Sequence, residues 1–159
     1  MSRVQSGLVH VLLATDAQWV VDDVVAALGG PDTSFTVCRN GRDVTGVVTA
    51  RTPDIAVLDM QSGSMGGMAV TMNLRLDQSS GALPYIPVLM LLDRVADVFM
   101  ARRSDADGWL IKPLNPLALK RAVNEILHPP PAPVAEADDG ATDAEITEET
   151  PEEEPAPTG

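Results

Sequence analysis

The chain has 159 residues and a formal net charge of −12, distributed unevenly: residues 129–159 carry ten of the 23 acids, seven of the 13 prolines and no Lys or Arg. Residues 1–128 are therefore nearly neutral, with 13 acids against 11 bases, and are of a size that suits one domain with one core. The acidity disfavours direct nucleic-acid binding, no apolar run reaches the roughly 18–20 residues that span a bilayer, and the single cysteine, Cys38, excludes an internal disulfide or a Cys-based zinc cluster.

The opening MSRVQSG precedes only seven apolar-leaning residues, too short a stretch and wrongly flanked for a secretion signal, so the chain reads as cytosolic, with 1–6 as an N-terminal extension. From there, apolar runs of strand length alternate five times with stretches of helical period. The first run, 8–14 (LVHVLLA), leads to a helix over 17–28 stopped by Gly29, Gly30 and Pro31. The second, 35–38 (FTVC), precedes a helix over 41–51, and the third, 55–58 (IAVL), one over 66–77. Run 87–92 (PVLMLL) leads to a helix over 94–103. Run 109–111 (WLI) leads to one over 116–127, with Asn115 as cap and Pro116 in its first turn. Residues 129–159 bury too little apolar surface to offset the entropy of ordering them, which predicts a disordered tail and no second domain after 128.

Repeated β–α alternation predicts an α/β fold with a parallel sheet covered by helices on both faces. Runs one, three and four are continuously apolar, as central strands are, whereas run two alternates and run five is short, as edge strands are. The predicted strand order is therefore 2-1-3-4-5, a flavodoxin-like doubly wound sheet whose ligands bind beyond the strands' carboxyl ends. Asp16, Asp59 and Lys112 fall at those ends. Strands one and three are neighbours in this order, so Asp16 and Asp59 should converge, and two carboxylates beside a backbone carbonyl make a candidate Mg²⁺ site.

The segments PDIAVLDM (53–60), IPVLMLL (86–92) and ADGWLIKPL (106–114) resemble the receiver domain of bacterial two-component response regulators, and the resemblance covers 7–128. It implies that Asp59 is the acceptor of a phosphoryl group from a histidine kinase. It also implies that Asp16, Asp59 and the Gln61 carbonyl hold Mg²⁺, that Lys112 neutralises the phosphoryl group, and that a cis bond precedes Pro113. Gly67 matches the glycine after the acceptor loop. The sequence departs from the pattern at Thr15, which replaces the first metal-binding acid. It departs again at Leu92, which replaces the switch hydroxyl, at Asp93, where a small residue is usual, and in the glycine-rich loop QSGSMGG (61–67). Leu92 cannot act as a hydroxyl switch, and one acid fewer weakens Mg²⁺ binding, so the resemblance implies a degenerate, phosphorylation-independent receiver that docks proteins and catalyses nothing.

Trp109 stands at the aromatic switch position and reads as a static packing residue. The family's docking face would carry Arg94, Arg102, Arg103, Trp109, Lys120 and Arg121; a solvated polar face is the commoner fate of helix charges, but an aromatic among arginines matches interface anchors. Trp19 is expected to pack partly buried, His10 and Cys38 to be buried, and Met60, Met65, Met68 and Met72 to fill gaps. The acidic tail, about 100 Å long when extended, would suit a basic groove on a larger assembly of which the protein is an accessory subunit. The rival expectation is a regulator that still cycles phosphate on Asp59.

Overall fold

The computed structural model describes residues 8–63 and 65–129; the expected N-terminal extension and nearly all of the acidic tail lie outside the described residues. Five strands, β1 (Val9–Ala14), β2 (Thr33–Cys38), β3 (Ile55–Asp59), β4 (Val88–Leu92) and β5 (Gly108–Ile111), form one parallel sheet in the order β2-β1-β3-β4-β5. Five α-helices alternate with them: α1 (Gln18–Leu28), α2 (Val44–Ala50), α3 (Gly67–Ser79), α4 (Val98–Arg103) and α5 (Pro116–Leu127). The predicted α/β class and strand order are those of the structure.

Strand periodicity builds the two cores. Along β1, Val11 and Leu13 face one side, where they meet Val20 and Val24 of α1 and Leu119 and Val123 of α5. Leu12 and Ala14 face the other, against Val44 and Val48 of α2 and Val70 and Leu74 of α3. A third, smaller cluster joins Met90 and Leu92 of β4 to Ala101 of α4, with Trp109 and Val98 packed against it. Every residue of β3 and β4 is buried, whereas all of β5 is half-buried, as the edge assignment requires.

Boundaries differ from the sequence expectation at identifiable places. Leu8, predicted to begin β1, is 60% exposed and precedes it. Helices two and four are shorter than predicted, because Gly41–Asp43 and Val95–Asp97 wind as 3₁₀ turns before the α-helices begin. At the second of these, the Asp97 carboxylate accepts from the Arg94 backbone N–H (3.1 Å) and from the Arg94 guanidinium (2.7 Å). The last helix starts as predicted: Asn115 Oδ1 accepts from the Ala118 N–H at 3.0 Å, and Pro116 occupies the first turn.

Candidate functional site

Asp59 ends β3 as its last buried residue, 2% exposed, and so presents a carboxylate at the strands' carboxyl edge from within the core. Three donors hold it. The Thr15 hydroxyl donates to Oδ2 at 2.7 Å, the Lys112 ammonium to Oδ1 at 2.7 Å, and the Gln61 backbone N–H to Oδ1 at 3.2 Å. Thr15 is fully buried after β1, and its hydroxyl also accepts from the Ala17 N–H at 3.1 Å, fixing the entry to α1. Lys112 follows β5 and is joined to Pro113 by a cis peptide, as the resemblance implied.

Lys112 serves a second acid. Its Nζ lies 2.9 Å from Asp93 Oδ1, so one ammonium is shared by a buried carboxylate and a more exposed one. Trp19, half exposed in the first turn of α1, lies over this ammonium with its ring centroid 5.6 Å away, within cation–π range. Burial opposes the lysine's charge, but hydrogen bonds to Asp59 and Asp93 outweigh it and raise the ammonium's pKa above the ordinary lysine value. The group is two carboxylates against one ammonium, so it carries net negative charge.

Asp16 is exposed, and its Oδ2 accepts from the Gly63 N–H at 2.7 Å. Asp16 and Asp59 thus each take a backbone N–H from the same loop, Gly63 and Gln61 respectively. The residues present do not fit the Mg²⁺ site that the resemblance implies. Thr15, at the first acid position, donates a proton toward Asp59, whose two oxygens already receive an ammonium, a hydroxyl and an amide N–H. Among the described residues, no group of three His, Cys, Asp or Glu side chains is placed to hold a metal ion.

The switch positions pack together. Leu92, with no exposed surface, and the half-buried Trp109 belong to the same cluster beside α4. The expected docking residues fall into separate groups. The Arg102 guanidinium lies 5.4 Å from the Trp109 ring centroid, and that of Arg103 lies 5.5 Å from the Phe99 ring centroid. Arg94 is occupied with Asp97, while Lys120 and Arg121 are exposed on α5. Three exposed apolar residues that sequence reasoning missed, Val95 (73%), Phe99 (61%) and Met100 (40%), join the arginines on and just before α4. It also missed Asp93 as partner of Lys112, Trp19 above that lysine, and Thr15 as donor to Asp59. Two of these were signalled, since Asp93 and Trp19 each follow a strand end by a few residues in a fold whose strand ends converge.

A doubly wound parallel sheet with an acid–lysine pair at its carboxyl edge defines the class. The chain matches the response regulator receiver domain family over residues 11–124, and it belongs to that family. It is 22% identical over 120 residues to the protein PilH of Pseudomonas aeruginosa, covering 76% of this chain and 98% of that one. With an uncharacterized response regulatory protein of Mycobacterium tuberculosis it shares 27% over 131 residues, covering 79% and 96%. Among solved structures, the chemotaxis response regulator CheY4 of Vibrio cholerae superposes with a TM-score of 0.66 at 21% identity, covering 75% of this chain and 98% of that one. Within this family the chain is an atypical receiver, lacking the acid pair and the hydroxyl switch. Among the described residues, no helix is long and apolar enough to cross a membrane.

Proposed function

We propose that this receiver works as a phosphorylation-independent protein-docking module, an accessory subunit of a larger assembly. In this reading residues 7–128 are the docking domain, and the acidic 129–159 segment reaches a basic surface on that assembly. The face that meets the partner comprises Arg94, Arg102, Arg103, Trp109, Lys120 and Arg121, extended by Val95, Phe99 and Met100.

The observation that carries the reading is the pairing of an acceptor carboxylate already held by three donors with a hydrophobic switch position. Asp59 is held by Thr15, Gln61 and Lys112, while Leu92 lies where a hydroxyl would have to draw a phosphoryl oxygen. A leucine side chain offers no donor to a developing charge, and phosphoryl transfer depends on positioned donors and metal ions. Phosphorylation would replace the single charge of the Asp59 carboxylate with about two on the phosphoryl group, in a pocket that also contains Asp93 and Asp16.

The rival reading is a regulator that accepts a phosphoryl group on Asp59 from a histidine kinase, and the intact Asp59–Lys112 pair at 2.7 Å favours it. One experiment separates the two: incubate the protein with Mg²⁺ and acetyl phosphate, then measure intact mass and tryptophan fluorescence. The docking reading expects neither a stoichiometric adduct nor a fluorescence change. An adduct that disappears in Asp59→Ala, accompanied by a fluorescence change, would establish the rival.

A further inference from the structure

We propose that Asp93 is the resident anion of the acceptor pocket, holding Lys112 so that a free oxyanion such as inorganic phosphate cannot take its place. The inference deepens the docking reading and rests on it for the identity of the pocket. An ammonium has three donor protons. Here two are directed at carboxylates, Asp59 Oδ1 at 2.7 Å and Asp93 Oδ1 at 2.9 Å, and the Trp19 ring lies 5.6 Å from the nitrogen. Lys112 is itself only 12% exposed, which limits the directions from which a ligand can reach it.

The two acids are not equivalent. Asp59 is 2% exposed and tied by Thr15 and Gln61 as well, whereas the Asp93 side chain is 37% exposed and stands at the solvent end of β4, directly after Leu92. Asp93 is therefore the partner that an incoming oxyanion would have to displace, and its own charge repels that oxyanion at short range. A hydrogen bond to a charged group is worth about one to two decades in an equilibrium, and removing the charge of Asp93 should improve oxyanion binding by that order.

The chain has two lysines, Lys112 and Lys120, so the test reads directly at the nitrogen in question. Lysine-labelled protein is titrated with inorganic phosphate, without Mg²⁺ or a phosphoryl donor, while the two side-chain signals are followed by NMR. Asp93→Asn should bind phosphate at least about tenfold more tightly than the unsubstituted protein, moving the Lys112 signal and leaving that of Lys120 in place. Asp23→Asn, which removes the same charge from the exposed face of α1, should match the unsubstituted protein.

Equal affinity in Asp93→Asn and the unsubstituted protein, silence in both, or an equal gain in Asp23→Asn would overturn the proposal. Backbone amide spectra report folding, and Asp93→Ser serves should the asparagine variant lose its fold. A covalent adduct of the unsubstituted protein with acetyl phosphate would end the docking reading but leave this comparison of non-covalent affinities intact, so the two can fail separately.

Discussion

Replacing Lys112 with Met leaves the carboxylate of Asp59, 2% exposed, without its cation. Breaking a buried ion pair from one side costs about 3–5 kcal/mol, whereas removing both charges costs much less. Lys112→Met should therefore lower the unfolding free energy by about that amount in urea titrations, and the further change Asp59→Asn should recover much of it. His10 supplies a pH dependence of a different kind. It is 6% exposed in β1, its Nε2 lies 2.7 Å from Thr36 Oγ1, and its Nδ1 is buried without a partner. Burial, and secondarily the charge of Arg51, lowers its pKa below the ordinary histidine value, with Asp54 acting weakly in the other direction. As pH falls below about 6.5 the unfolded chain takes up a proton that the folded chain refuses, so this contribution to stability is full at neutral pH and lost toward acid. Unfolding free energies at pH 7.5 and 5.5 should thus differ more for the unsubstituted protein than for His10→Gln; equal differences would remove His10 as the cause. Its burial was legible from its place inside an apolar run. The sharing of Lys112 by two acids was not, because sequence position puts Asp93 near the edge without fixing where its carboxylate turns.

The elements were legible where apolar period and punctuation agree. All five strands and five helices were anticipated because apolar runs of strand length alternate with stretches of helical period, and Asn115-Pro116 marks the start of α5 by cap chemistry. The 3₁₀ openings before α2 and α4 escaped because a turn closed at i+3 presents nearly the same apolar spacing as one closed at i+4. Asn115→Ala should cost about 1 kcal/mol of stability by removing the cap on Ala118 N–H. The glycines of the acceptor loop and its neighbour are required by close approach: a Cβ on Gly66 would meet the Met60 carbonyl oxygen, and one on Gly41 the Met65 carbonyl oxygen. Because the obstacles are backbone atoms, Gly41→Ala should destabilise by about 1–3 kcal/mol. Gly46 lies in α2, and a methyl group there would have nothing within 4 Å of it beyond its own helix, so Gly46→Ala should stabilise by about 0.5–1 kcal/mol. Thermal unfolding of the two variants side by side checks both signs.

For the molecule as a whole, the sheet segregates two kinds of surface. The strand edge carries a group of net negative charge around Asp59, while α4 and the turn before it expose Val95, Phe99 and Met100 beside Arg102, Arg103 and Trp109. An exposed aromatic–aliphatic group flanked by arginines has the composition of an interface core, and the arginines stack on the aromatics, so their charge and the apolar surface occupy the same site. This surface was half legible: the arginines and Trp109 are evident in the sequence, but Val95 and Phe99 share the apolar character of core residues, and their exposure is seen only in the structure. If the surface is the docking face, its residues contribute to binding and little to folding. Val95→Ser with Phe99→Ser should keep the unfolding free energy within about 0.5 kcal/mol and abolish retention of partner from native-cell extract. Asp59→Ala, judged on its correctly folded fraction, should retain the partner. Loss of retention in Asp59→Ala with retention intact in the α4 variant would move the function to the acceptor pocket.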